Sequence, residues 1–243
     1  MTIRLFEVGG SIRDELMGID NPPDRDFCAE SPDGWEALLA WCHDNMKRVF
    51  LVTPEFFTVR GMMPSGTSID VVMCRKDGPS SDGRHPDHVE PGSLLDDLAR
   101  RDFTVNAMAR EVDPKSLEPI GDIIDPFRGR EDLVAHSLRC VGDTKARLEE
   151  DGLRVLRAAR FCVTKRLGLS HSLAEELRNP NTWRFMKETV SVERIREELH
   201  KMLKADTVSS LRFLTTNCCA MSTIDILFGH DSTIWLKPTL EKR

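Results

Sequence analysis

Apolar positions along the chain change period near residue 143. Before it, short runs rich in β-branched and aromatic residues predict strands: IRLFEV at 3–8, RVFLV at 48–52, FFTVRG at 56–61 and SIDVVMCR at 68–75. Gly9 and Gly10 end the first run, and a short helix is expected to about Met17; GWEALLAWCHDN at 34–45 predicts another. Residues 76–92 hold Gly, Pro, Ser and Asp throughout and predict an exposed, mobile loop. After 143 the repeat is helical. Leu148, Leu153, Leu156, Ala159 and Phe161 line one helix over 146–166, and Val192, Ile195, Leu199, Met202 and Leu203 form one stripe over 191–204, with Ser191 as its N-cap. The fold class expected is α+β, a mixed sheet with flanking helices followed by an all-α unit. The expected boundaries are 1–140, 141–205 and 206–243.

Composition adds limits. The chain has 243 residues, enough for one full core and a second, smaller helical unit. No stretch is apolar for long enough to span a bilayer, and MTIRLFEVGG lacks a signal-peptide core, so a cytoplasmic protein without a membrane partner is expected. The seven cysteines are scattered and show no C-x-x-C, which points to buried, reduced thiols and away from structural zinc. A net charge of −6 argues against a protein that coats nucleic acid non-specifically, yet leaves room for local basic grooves. Two basic clusters are candidates: Arg100, Arg101 and Arg110, then Arg154, Arg157, Arg160, Lys165 and Arg166.

Four segments carry candidate chemistry. In PPDRDF, Asp24 and Asp26 flank Arg25; on an extended backbone, side chains two apart share a face. Such a carboxylate pair suits a magnesium pair about 4 Å apart that holds the attacking and leaving oxygens of a phosphoryl displacement. Asp70, on a later strand, would add a third oxygen. A solvated turn explains D-x-D alone equally well. In VGGSIRD (8–14), glycines let backbone N–H groups approach a phosphate at a helix start, although a plain tight turn needs the same residues. In RRDFTVNAMA, Asp102 and Asn106 suit a sugar hydroxyl and an arginine suits phosphate; a structural Arg–Asp salt bridge is the other reading. In EEDGLRVLRAARF, Asp151 and Arg154 lie three apart on a helical face, as a base-reading pair or as a surface ion pair.

Taken in order, these segments resemble class II tRNA nucleotidyltransferases and the related bacterial poly(A) polymerases of the polymerase β-like superfamily. VGGSIRDELMG…DRDF is similar to the family's catalytic motif A. Residues 75–109 resemble its flexible loop and motif B, IIDPFRGREDL its motif C, EEDGLRVLRAARF its motif D, and VSVERIREELHKML its motif E. The resemblance implies a polymerase β-like nucleotidyltransferase head, an all-α neck and a truncated body. It implies that Asp24 and Asp26 hold Mg2+, with Asp70 beside them. Gly9, Gly10, Ser11 and Arg13 would serve the triphosphate, and Arg101, Asp102 and Asn106 the nucleotide. Asp151 and Arg154, helped by Arg157 and Arg160, would select CTP and then ATP. The activity implied is template-independent CCA addition to the tRNA 3′-hydroxyl with release of pyrophosphate. The alternatives are A-only or C-only addition to an RNA 3′ end, and a catalytically idle RNA-binding module. Gly152 stands where the family usually has Pro, which is expected to loosen the start of that helix. The resemblance ends near 204, which leaves the grip on RNA to a homodimer, a partner or weak acceptor binding.

Overall fold

The computed structural model describes residues 3–19, 25–78, 89–219 and 221–229. Asp24 therefore lies outside the described residues. The chain divides into two compact units between Ala135 and His136.

In the first unit the elements run β1 (Arg4–Val8), α1 (Gly10–Leu16), β2 (Asp26–Glu30), α2 (Trp35–Asn45), β3 (Arg48–Thr53), β4 (Thr58–Met62) and β5 (Ser68–Met73). There follow β6 (Arg75–Asp77), β7 (Val89–Pro91), α3 (Leu94–Ala99), β8 (Ala109–Val112), β9 (Pro119–Ile124) and α4 (Gly129–Val134). Seven strands form one mixed sheet in the order β3-β4-β5-β2-β1-β8-β9, in which only β2 and β5 run parallel. β1 is central and buried beyond its first residue, with β2 on one side and β8 on the other. Leu5, Phe27, Val59, Val71 and Met73 pack with Leu38 and Cys42 of α2 in one cluster. That burial is the main driving force for the unit. Two expectations shift here. The strand predicted from 56 begins at Thr58, because Pro54–Phe56 forms a 3-10 turn and Phe57 adopts a left-handed backbone. The loop over 76–92 is not irregular throughout: Arg75–Asp77 pairs with Val89–Pro91 as an antiparallel ribbon.

The second unit holds β10 (Ser137–Leu138), α5 (Thr144–Glu150), α6 (Leu153–Thr164), β11 (Gly168–Leu169), α7 (His171–Arg178), α8 (Pro180–Thr189), α9 (Val192–Ala205), α10 (Thr207–Thr216) and α11 (Met221–Phe228). Val155, Leu156, Ala159, Leu177, Trp183, Ile195, Leu199 and Met202 are fully buried or nearly so. The Trp183 Nε1–H donates to the Leu177 carbonyl at 2.8 Å, which satisfies its one polar atom in the core. The single helix expected over 146–166 is two, broken at Asp151 and Gly152. Gly152 does not loosen that junction. A Cβ there would stand 2.7 Å from Thr189 Oγ1 and 3.1 Å from Met186 Cα, so only glycine admits this close approach of α8. Ser191 occupies the N-cap of α9, but its side chain makes no capping bond. α10 packs on both α6 and α9, so residues beyond 205 continue the helical unit.

All seven cysteines are free. Burial pushes the Cys42 and Cys162 thiols up to about 12, consistent with inert, reduced side chains. Among the described residues no helix is long and apolar enough to cross a membrane.

Candidate active site

Sheet register gathers the motif residues of the first unit at one end of the sheet. Val8, the last residue of β1, pairs with Asp26 on one side and Ala109 on the other. The Gly9–Gly10 turn, the start of β2 and the start of β8 are therefore neighbours. Gly9 has φ +80 and donates its N–H to the Met108 carbonyl at 3.1 Å. A Cβ on Gly9 would meet Arg101 Nη1 at 2.7 Å, so glycine is required by both backbone and space.

Around that turn runs a buried polar chain. Arg13 Nη1 donates to Asn106 Oδ1, and Asn106 Nδ2 donates to Asp102 Oδ1 at 2.9 Å. The same oxygen accepts from the Phe103 N–H at 2.8 Å. Arg13, Asp102 and Asn106 are all buried, as is Ser11, which lies beside Glu7. The Arg–Asp salt bridge read from RRD exists, but with a different acid. Asp97, wholly buried one turn back on α3, takes Arg100 at 2.5 and 3.0 Å and Arg101 at 3.1 Å. Burial alone would raise the Asp97 carboxyl; the two guanidinium groups outweigh it and hold it below its usual value. Arg101 is thereby aimed at the glycine turn, with Nη1 3.4 Å from the Asn106 carbonyl.

Asp26 opens β2 and is exposed, and its register partner on β5 is Asp70. These are carboxylate oxygens only, the donor type a hard divalent cation takes. Asp70 is already engaged: Arg60 of β4 holds it at both oxygens, at 2.6 and 2.5 Å, and Asp70 in turn raises the arginine's pKa. Its expected place as a third ligand would leave it the lone pairs that Arg60 does not use.

In the second unit Asp151 and Arg154 do not form the i,i+3 pair. Asp151 caps the end of α5 with an extended backbone, so the two share no continuous helical face. Its oxygens accept from Arg194 of α9 at 2.9 and 3.3 Å and from the Leu153 N–H at 3.1 Å. Arg154 Nη1 donates to Glu150 and to the Arg147 carbonyl, both at 2.7 Å. Arg160 pairs with buried Glu198, and Arg157 lies 5.7 Å over the Phe161 ring. Burial pushes the Glu198 carboxyl up, but Arg160 pulls it back below its normal value.

The residues that sequence patterns did not single out are Glu7, Arg60, Asp97 and Arg194. Each is half of an ion pair whose partner comes from another strand or helix or, for Asp97, from the two arginines that follow its own short helix. Only Glu7 left a signal, a charge inside an apolar strand.

Comparison with known proteins gives a consistent result. Residues 5–139 match the family described as the poly A polymerase head domain. The CCA-adding enzyme of Lactobacillus helveticus is 36% identical over 199 residues, covering 81% of this chain and 45% of that protein. The multifunctional CCA protein of Burkholderia lata is 37% identical over 174 residues, 66% of this chain and 36% of its own length. Among solved structures, the Bacillus stearothermophilus CCA-adding enzyme in complex with CTP has a TM-score of 0.70 at 30% identity, covering 88% of this chain and 48% of that one. The Thermotoga maritima CCA-adding enzyme complexed with tRNA has a TM-score of 0.71 at 26% identity, covering 94% and 49%. The chain thus spans about half the length, or less, of these relatives.

Proposed function

Because the chain belongs to the poly A polymerase head-domain family, we propose that it is an RNA 3′ nucleotidyltransferase that adds CTP and ATP to tRNA. The observation that carries this reading is the buried chain Arg13–Asn106–Asp102 around the Gly9 turn, with Arg101 braced by Asp97 beside it. Those residues set braced arginine side chains against a turn that only glycine fits, at one end of the sheet, where a triphosphate would be held with little reorganisation. In the reaction the RNA 3′ oxygen bonds to the α-phosphorus, the α–β phosphoanhydride breaks, and pyrophosphate leaves. Asp24 and Asp26 would hold a divalent cation, magnesium in this reading, which supplies charge stabilisation to the phosphates. Arg13 and Arg101 would neutralise the leaving pyrophosphate, and Asp102 and Asn106 would orient the sugar. Asp151 and Arg154, with Arg157 and Arg160 alongside, would discriminate the bases by side-chain hydrogen bonds.

The test is extension of tRNA transcripts that end before the CCA, with each NTP alone and combined, in magnesium. We expect two C additions and one A. Lack of elongation with every NTP would refute the proposal, as would activity surviving Asp24→Ala plus Asp26→Ala. The family description also supports a second reading, addition of A alone; incorporation from ATP without any from CTP would select it.

A further inference from the structure

The second basic cluster of the sequence ends in Arg166, which the proposed function leaves unused. Arg166 stands at an open cavity of about 440 Å³ in the helical unit, between the end of α6 and α10. That volume falls within the range of small-ligand sites, about 300–1,000 Å³. Its floor is apolar: Cys162 and Leu167 are buried, and Phe213 is half-buried. α6 runs from Leu153 to Thr164, so this end of it lies about 15 Å along the axis from Arg154. The cavity is therefore distinct from the base-selecting residues Asp151 and Arg154.

The rim offers hydrogen-bond donors without matching acceptors. Arg166 and Arg212 are exposed, and neither guanidinium makes an ion pair or a hydrogen bond among the described residues. Arg166 follows the end of α6 in a left-handed backbone, φ 55, a place where helices usually carry glycine. Asn217 accepts from the Thr216 hydroxyl at 2.9 Å through Oδ1, which leaves its Nδ2 donors without a described partner. Asp206 is the one acid among the described lining residues, and it feels the charge of Arg212. Ser209 occupies both its oxygens, with the backbone N–H at 2.9 Å and the hydroxyl at 2.8 Å. Two cationic forks, a free amide and an aromatic ring on an apolar floor complement a phosphate, a base edge and a base face respectively.

We propose that this cavity is a further nucleotide-binding site, in which a base stacks on Phe213, Asn217 donates to the base edge, and Arg166 and Arg212 take the phosphate. The same chemistry is offered by a free nucleotide and by one nucleotide of a single-stranded RNA. The proposal rests on the cavity alone and goes beyond the nucleotidyltransferase reading, so the failure of either leaves the other standing.

The experiment uses the full chain with a chelator present, which removes metal-dependent nucleotide binding. AMP, adenosine and inorganic phosphate are titrated by calorimetry, and a labelled single-stranded hexa-adenylate by fluorescence anisotropy. Wild type is compared with Arg166→Gln plus Arg212→Gln and with Phe213→Leu, each checked for folding by circular dichroism. The double arginine variant should bind the ligand about 10-fold more weakly or worse, the scale for losing hydrogen bonds to a charged group. Phe213→Leu keeps the floor apolar but removes the stacking ring, and should weaken binding about 5- to 150-fold. Adenosine should bind wild type and the arginine variant alike and still be weakened by Phe213→Leu. Losses confined to AMP assign the site to free nucleotides, and losses confined to the hexamer assign it to RNA; both support the proposal. Wild type that binds neither probe overturns it, as do folded variants that bind both probes with wild-type affinity. Equal arginine-dependent losses for AMP and inorganic phosphate, with Phe213→Leu silent, overturn it too, because the site then reads phosphate without a base.

Discussion

Asp97 offers the sharpest test of how the glycine turn is built. Its carboxylate is fully buried and takes two guanidinium groups, whose side chains are 24% and 20% exposed. Asp97→Asn keeps the shape but leaves two arginines facing a neutral amide. Removing one partner of a buried ion pair costs about 3–5 kcal/mol. Partial solvent access to both arginines puts this case at the low end, about 3 kcal/mol. For a chain of this size that lowers Tm by roughly 6–12 °C. Urea unfolding followed by circular dichroism measures the loss, with Asp70→Asn as the control, because its Arg60 pair lies largely in solvent. The pH dependence has a definite sign. The folded-state pKa of Asp97 is depressed, so its stabilisation is present above the ordinary carboxyl value of about 3.9 and is lost as pH falls through the folded value. The gap between wild type and Asp97→Asn should therefore be flat from neutral pH to about 4 and close below that. An Asp97→Asn variant no less stable than the Asp70→Asn control, or a gap that widens in acid, would refute this account.

Two further outcomes follow from glycines. Gly9→Ala forces an L residue into the left-handed region, costing about 1–2 kcal/mol, and drives a methyl against Arg101; nucleotide affinity measured by calorimetry should fall, while Gly18→Ala, with open space around it, leaves affinity intact. Gly152→Ala should destabilise the helical unit by about 1–3 kcal/mol through overpacking, and Thr189→Ala in the same chain should return part of that loss by removing the nearest atom, both read as Tm by calorimetry.

Local pattern made much of this legible. Strand runs such as SIDVVMCR and the stripe of α9 follow directly from periodicity, because each element buries a face of its own. The Gly9–Gly10 turn, Asp102 and Asn106 announced themselves through residue type, and the structure brings them together. What escaped depends on register or on partners distant in sequence. Glu7 meets Arg25 only because β1 and β2 pair with Val8 opposite Asp26. The break at Asp151 was masked because the apolar repeat runs on across it. What stops the helix is an extended Asp151 tied to Arg194, 43 residues later, and a glycine under α8.

The place of β1 between β2 and β8 has a consequence for how the molecule is made. Its second neighbour comes late: Arg4 of β1 bonds Glu111 of β8 across a separation of 107 residues. As the chain leaves the ribosome, β1 can pair early with β2 but must wait for residue 112 before its other edge is covered. The turn at Gly9, the first motif to emerge, is then among the last to find its partners. A head interrupted before β8 would leave one edge of largely apolar β1 without a partner, the kind of edge that recruits other chains.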